Sequence, residues 1–277
     1  MIRVRFKAAA LFVLVGPVAV WAEVAPKPLC ALVKACALEV EVAGCGEAES
    51  KPLPGVVYDA ARCSEPRDLL AHGVTPAVGI GASVHAFLGG RYRVVYDMTG
   101  EAPVSEARFD YLAEDLPFAA RLATRFTKTR YAMDYLTPDR KRFHCSRADK
   151  MVGDAEMLFA SVAEKRRTYY GWGTSKLGPW KLHGSAFVDI RLRPGAKNPK
   201  GISYDVRVRT APVNAFINAI MGMGLFRGYV IGQIQDVMKD LVRAATVLSA
   251  TDLNKLLSDP ALSAEDRDKI HTFAMLP

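Results

Sequence analysis

Histidine and cysteine can bind metals or act as nucleophiles, and this chain has five residues of each type. The histidines are scattered, and no two have the helical spacing of zinc ligands: His72, His85, His144, His183 and His271. The peptide GIGAS at 79–83 lacks the G-x-S-x-G pattern of a serine hydrolase, because Ser83 stands where the pattern needs a glycine. We therefore predict no catalytic residue, no metal and no cofactor, and we expect a protein that is not an enzyme.

One group of polar residues falls within a single predicted strand. His183, Ser185 and Asp189 alternate, so their side chains share one face. A catalytic triad needs mutual hydrogen bonds in a line, and neighbours on one strand face rarely supply them. Asp189 also shares its face with Arg191 and Arg193, and this charge pattern predicts a solvated surface.

Four of the five cysteines fall within one short stretch, at Cys30, Cys36, Cys45 and Cys63. In an oxidising compartment they would form two disulfides, and the sequence does not choose among the three possible pairings. A zinc site is the alternative, but the spacings lack close ligand pairs and no histidine lies between them. Cys145 is left over, and we expect a buried free thiol.

The amino-terminal segment has the three parts of a secretory signal peptide. Three basic side chains precede a short apolar run, and Val20 and Ala22 are small enough for a cleavage site. Residues 1–22 are therefore predicted to be a signal peptide, with an uncleaved anchor as the alternative. We expect the protein to be exported, either periplasmic or secreted.

The composition predicts a folded chain with a mild basic excess. Half of its 277 residues are hydrophobic, which excludes a disordered chain, and the formal net charge is +8. Residues 121–150 are rich in lysine and arginine, and Arg140, Lys141 and Arg142 fall at a predicted hairpin turn. This segment predicts either contact with an anionic membrane surface or only a solvated face. Because exported proteins rarely meet nucleic acid, we expect no nucleic-acid partner.

Alternating side chains predict an antiparallel sheet. Val188, Ile190 and Leu192 share one face of a strand, and a turn rich in Pro, Gly and Asn leads into a second alternating strand at 202–210. A first strand lies near 92–98, and the stretches between 130 and 210 add about six more. Their connections are too short for parallel crossovers.

Helical periodicity predicts three further elements. Residues 105–126 have an apolar face that Pro117 should divide into two short helices. Residues 213–249 contain a long amphipathic helix, with an apolar stripe that begins near Ile231. Its polar side chains are expected to point mostly away from that stripe: Gln233, Gln235, Lys239, Asp240 and Arg243.

This order of elements resembles the START-like, or helix-grip, superfamily over about residues 84–250. The resemblance implies an α+β fold in which a curved antiparallel sheet of about six to seven strands wraps around a long C-terminal helix, with two short helices after the first strand. It also implies a cavity between sheet and helix that binds a hydrophobic or amphipathic small molecule, commonly a lipid. It does not imply catalysis.

These observations divide the chain into a signal peptide (1–22), a cysteine-containing arm (23–80), a helix-grip-like domain (81–250) and a helical tail (251–277). We predict an exported protein that binds a hydrophobic, lipid-like molecule between the sheet and the long helix. The predicted ligand-binding residues are Tyr92, Val94, Tyr96, Ile190, Tyr204, Val206, Ile234, Met238 and Leu241. The alternatives are a structural protein with a solid core and a hydrolase or cyclase that uses the same pocket.

Overall fold

The computed structural model describes four stretches of the chain: residues 27–71 without 40–44, 49, 53, 55 and 56; 94–177 without 149; 180–212 without 197, 199 and 200; and 224–277. Tyr92, the predicted signal peptide and residues 213–223 at the start of the predicted long helix lie outside them. In the described stretches, no helix combines the length and the apolar character needed to cross a bilayer.

The described elements follow the predicted order, with two helices in the arm before the first strand. They are α1 (Lys27–Ala35), α2 (Ala60–Ala71), β1 (Val94–Ala102), α3 (Glu106–Glu114), α4 (Leu116–Phe126), β2 (Tyr131–Tyr135), β3 (Arg142–Arg147), β4 (Met151–Ser161), β5 (Arg166–Leu177), β6 (Trp180–Pro194), β7 (Ile202–Pro212), α5 (Gly224–Ala250), α6 (Leu253–Leu257) and α7 (Ala264–Met275).

All seven strands form one antiparallel sheet in the order β1-β7-β6-β5-β4-β3-β2, so β1 and β2 are its opposite edges. The predicted hairpin is the β6–β7 pair, in which Val188 lies opposite Val208 and Ile190 lies opposite Val206. The predicted fold class is confirmed: the fold is α+β, with two short helices after the first strand and a long helix after the last.

The division between α3 and α4 follows from local chemistry. Asp115 ends α3 and caps α4, because its carboxylate accepts a hydrogen bond from the backbone N–H of Phe118 at 3.1 Å. Pro117 lies in the first turn of α4, where its missing N–H leaves no helical bond unmade. The helical segment is therefore divided just before Pro117, as the sequence predicts.

One face of the sheet packs against α3, α4 and the second half of α5, and we call it the inner face. Its buried strand residues include Leu192, Ile202, Tyr204, Val206 and Val208. On the helix side, Ala244, Ala245 and Leu248 are almost completely buried. Side chains of α6 and α7 complete this core, which is solid at the end of the sheet that carries the β6–β7 turn.

The opposite, outer face of the sheet is covered over β5 and β6 by the cysteine-containing arm. A second cluster of buried residues joins the arm to β5 and β6: Leu32, Cys36, Leu38, Cys63, Tyr170 and Phe187. The prediction that the face of Asp189 is solvated is therefore wrong. Asp189 is only 7% exposed, because the arm covers the strand face that sequence periodicity marks as polar.

The buried Asp189 carboxylate is fully paired. It accepts hydrogen bonds from Nε of Arg166 at 2.7 Å and from the hydroxyl of Thr168 at 2.9 Å. Arg166 forms a second ion pair with Asp68 of helix α2. A buried carboxylate is tolerated only with such partners, so this network ties the arm to the sheet.

Two disulfides cross-link the arm, Cys30–Cys45 and Cys36–Cys63. All four predicted cysteines take part, and the structure selects one of the three possible pairings. Cys145 is a free, partly buried thiol on β3. Disulfides persist in oxidising compartments, which agrees with the predicted environment of the chain.

Candidate functional site

Small residues replace large side chains over part of the inner face. Gly153, Gly173 and Gly184 lie opposite one another on β4, β5 and β6. The next row on the same face consists of Ala155, Gly171 and Ala186. We call these six residues the small-residue floor. All six are partly exposed, although they belong to the face that packs against α5.

The floor glycines have two different roles. A Cβ on Gly153 would lie 2.9 Å from Cα of Gly173, and one on Gly173 would lie 2.7 Å from Cα of Gly153. These two residues must be glycine because their strands approach closely. A Cβ on Gly171, however, would meet Ala155 at an ordinary 3.5 Å. The missing side chain of Gly171 therefore leaves room that a larger residue could fill.

Helix α5 spans the floor because hydrogen bonds attach it to both edges of the sheet. At one edge, Nε2 of Gln235 donates to the hydroxyl of Tyr96 on β1 at 2.9 Å. At the other edge, the hydroxyl of Tyr131 on β2 donates to Asp240 at 2.7 Å. Residues 229–235 of the helix are all partly exposed. The first half of the helix is thus attached to the sheet mainly through hydrogen bonds, which include those of the Tyr229 hydroxyl with Ser175 and with the backbone oxygen of Lys176 on β5.

Arg147 of β3 extends the contacts at the second edge. Its Nη2 donates to Asp236 of α5 at 3.1 Å, and its Nη1 donates to the side-chain oxygen of Gln233. The polar residues Gln233, Gln235 and Asp240, which lie off the apolar stripe, thus bond to residues of the sheet, contacts that the sequence did not predict. Lys239 and Arg243 are exposed as expected.

The donors of this polar cluster stay protonated. Burial would lower the pKa of the Arg147 guanidinium, but the hydrogen bond with Asp236 and the nearby Tyr131 hydroxyl outweigh it and raise the pKa. Burial and the neighbouring Asp240 carboxylate raise the pKa of the Tyr131 hydroxyl far above its usual range. Nε of Arg147 is buried and makes no hydrogen bond within the described part of the chain.

Cys145 lies beside the floor, opposite Gly153. Burial raises the pKa of its thiol to about 11, so the thiol is neutral at ordinary pH and a poor nucleophile. Among the residues that the structure describes, no three His, Cys, Asp or Glu side chains are grouped as metal ligands.

A small cavity continues the floor toward the turn between α3 and α4. Its volume is about 130 Å³. Phe143, next to Ala155, and Tyr169, two residues from Gly171, form part of its wall. Burial raises the pKa of the Tyr169 hydroxyl to about 12, and Arg167 at the cavity wall is paired with Asp110. The cavity is therefore lined mainly by apolar and aromatic side chains, with the charged groups of Glu114, Arg140 and Arg167 also in its wall.

The predicted ligand-binding residues that the structure describes divide into three groups. Tyr204, Val206 and Met238 are buried in the solid core, at 6%, 2% and 5% exposure. Partly buried residues at its margin are Ile190, Ile234 and Leu241. Tyr96 bonds to α5, and Val94 lies in β1 opposite Thr210. A role of any of these residues in binding stays a prediction.

Sequence reasoning missed the floor and Arg147. A signal for the floor was present in β5, where Gly171 and Gly173 alternate with Tyr170 and Trp172. This pattern places the large side chains on the outer face and nothing on the inner face.

The basic β2–β3 turn has several internal contacts. The guanidinium of Arg142 lies over the Trp172 ring at 5.2 Å and 3.7 Å from Asp154, while that of Arg140 lies over the Tyr135 ring at 5.6 Å. Contact of this turn with an anionic membrane stays a prediction.

Comparison with family models and with curated proteins finds no match. Solved structures that resemble part of the chain include a protein from Bacillus thuringiensis (14% identity, TM-score 0.38), Ara h 8.0201 (11%, 0.41) and the protein Mll3558 from Rhizobium loti (14%, 0.37). Each match covers 55% of this chain and 96–99% of the other. These likenesses assign neither a family nor a function.

Proposed function

We propose that this is an exported protein that binds a hydrophobic or amphipathic small molecule beneath the first half of α5. The observation that carries the proposal is the small-residue floor, which is partly exposed on a face that otherwise forms the core. Removing side chains from a sheet face loses burial and packing. Such a surface is therefore expected where something other than the protein's own side chains occupies the space.

The chemistry around the floor supports an apolar ligand body. Val188 and Ile190 on the sheet, with Ile234 and Leu241 on the helix, are partly buried at the margin of the core. Each CH₂ group that a ligand buries contributes about 0.8 kcal/mol, so a chain of moderate length is enough for useful affinity. The cavity beside Phe143 would receive the end of such a chain.

Export is supported by the two disulfides of the arm and by the signal-peptide pattern of residues 1–22. These disulfides would keep the arm in place on the outer face of the sheet after secretion.

The alternatives predict different behaviour at the floor. A hydrolase would need an available nucleophile or base there, whereas Tyr131 and Arg147 donate to the nearby carboxylates and the Cys145 thiol is neutral. We therefore propose binding without catalysis. A structural protein with a solid core would take up no ligand at all.

The test uses the oxidised, processed protein purified without detergent. Organic extraction and mass spectrometry should find a bound lipid-like molecule, and the emptied protein should take up the neutral fluorophore N-phenyl-1-naphthylamine. Gly171→Leu should fill the floor and weaken uptake about tenfold or more. Val152→Leu, on the exposed outer side of β4, is the matched control and should leave uptake unchanged. Absence of both bound lipid and probe uptake in the wild-type protein would refute the proposal.

A further inference from the structure

The side chain of Arg147 is a buried donor at one end of the floor. Its side chain is 7% exposed, and Nη1 and Nη2 are both used by Gln233 and Asp236. Nε is buried without a hydrogen-bond partner in the described stretches. Leaving such a donor unpaired is unfavourable, so a ligand acceptor at this position would be stabilised.

The position of Arg147 fits the head of an elongated ligand. Arg147 and Cys145 follow one another on the inner face of β3, and Cys145 lies opposite Gly153 of the floor. Phe143, at the wall of the cavity, is four residues from Arg147, which corresponds to about 13 Å along a strand. An apolar chain bound at Arg147 would therefore cross the floor and end at the cavity.

The charges around Arg147 decide which head group is favoured. One guanidinium serves a cluster that contains two carboxylates, Asp236 directly and Asp240 through Tyr131. The cluster therefore has a net negative charge, and an anionic head would add like charge to it. An uncharged acceptor would take the hydrogen bond without that repulsion.

We propose that Nε of Arg147 donates to a neutral oxygen, a carbonyl or hydroxyl, on the ligand, so that the protein prefers neutral amphiphiles to fatty acids. This inference rests on the proposed function and adds the chemical class of the head group. Gly171 and its neighbours accommodate the chain, and Arg147 selects the head.

The first experiment compares ligands that share a ten-carbon chain. Decanamide, methyl decanoate and decanoate each displace N-phenyl-1-naphthylamine from the processed protein at pH 7.5. We expect decanamide and the ester to bind about tenfold more tightly than decanoate, a difference of about 1.4 kcal/mol. Equal or tighter binding of decanoate would overturn the inference.

The second experiment changes the head-group site. Arg147→Met and Arg147→Lys both remove the Nε donor, and Lys keeps the positive charge for Asp236. Both variants should weaken decanamide binding about fivefold or more. If the Met variant does not fold, the Lys variant carries the test. Unchanged decanamide binding in a folded variant would overturn the assignment of Nε.

A third variant tests the charge argument. Asp236 is half exposed, so Asp236→Asn should fold, and it should narrow the ratio between decanamide and decanoate about fivefold. An unchanged ratio would contradict the charge argument. Failure of every ligand and of the fluorophore to bind the wild-type protein would instead refute the proposed function. Binding without head-group preference would refute only this inference.

Discussion

The outer face of the sheet is covered over β5 and β6 by a disulfide-bonded arm that packs on large aromatic side chains, whereas part of the inner face is lined by glycine and alanine beneath a helix attached at both edges. The difference is visible within β5 alone, where Tyr170 points outward and Gly171 points inward. Beside the floor, the large side chains Tyr170 and Trp172 of β5 lie on the outer face, where they pack with the residues of the arm.

The two faces also treat charge differently. On the outer face, Asp189 and Arg166 are both buried and pair with each other, and Arg166 also pairs with Asp68. On the inner face, Arg147 is paired with the half-exposed Asp236 and with Gln233, and its Nε has no partner among the residues that the structure describes. The outer network therefore serves stability, while the inner one has capacity for a ligand.

Breaking the network of Arg166, Asp189 and Asp68 should lower the free energy of unfolding more than any other change considered below. Arg166→Met leaves the Asp189 carboxylate buried without its main partner, and we expect a loss of about 3–5 kcal/mol in the free energy of unfolding. Arg207→Met removes an ion pair with Asp97 that is more than half exposed on both sides, and should cost less than about 1 kcal/mol. Urea unfolding of both variants measures the contrast, and similar losses would contradict it.

Removing the disulfides tests whether the arm and the sheet unfold together. Cys36→Ala/Cys63→Ala opens a loop of 27 residues and should cost about 3.5 kcal/mol. Cys30→Ala/Cys45→Ala opens a loop of 15 residues and should cost about 3 kcal/mol. Guanidinium unfolding followed by tryptophan fluorescence measures both losses. A loss below about 1 kcal/mol for the first pair would mean that the arm is dispensable for the sheet.

The two roles of the floor glycines can be separated with a single methyl group. Gly173→Ala forces a Cβ against the backbone of β4 and should cost about 1–3 kcal/mol. Gly171→Ala places the same methyl at ordinary contact distance and should change stability by less than about 0.5 kcal/mol. Thermal unfolding of both variants measures the effect. Equal losses would show that the floor is tightly packed throughout.

Smaller effects are expected from the bonds between α5 and the sheet edges. Tyr131→Phe removes the hydrogen bond to Asp240 and Tyr96→Phe removes the one from Gln235, and each should cost about 1 kcal/mol. Tyr135→Phe removes an exposed bond to the backbone oxygen of Glu114 and should cost less. Urea unfolding of the three variants would contradict the role of these edge contacts if Tyr135→Phe had the largest effect.

Local patterns predicted most of the elements of this fold. The β6–β7 hairpin follows from the alternation around Val188 and Ile190, and the turn between α3 and α4 follows from Pro117. Both depend on residues that are close in the sequence. The four bridging cysteines could be identified in the same way, but their pairing depends on how α1 and α2 pack, so spacing alone left it open.

Long-range contacts account for the errors. The sequence predicts a solvated Asp189 because the segment that buries it, around Asp68, lies more than a hundred residues earlier in the chain. The sequence did not predict the bond of Gln235 to Tyr96, because Tyr96 is 139 residues away. It also lies at a sheet edge whose position depends on the order of the strands. The local sequence does not show whether a polar side chain on an amphipathic helix will bond to water or to a hydroxyl that is distant in the chain.

The two halves of α5 are attached to the rest of the molecule by different forces. From Met238 onward the helix is held mainly by buried apolar side chains, which water does not replace, with one added bond from Tyr131 to Asp240. The half before it contacts the sheet mainly through side-chain hydrogen bonds, and of its apolar residues Ile234 packs partly against the core. Water can replace those bonds at a small net cost, so the first half can swing outward while the second stays docked. A ligand could then exchange without global unfolding. If the first half of α5 moves in this way, amide hydrogens should exchange faster at Val230–Gln235 than at Ala244–Leu248. Bound decanamide should slow the exchange at Val230–Gln235.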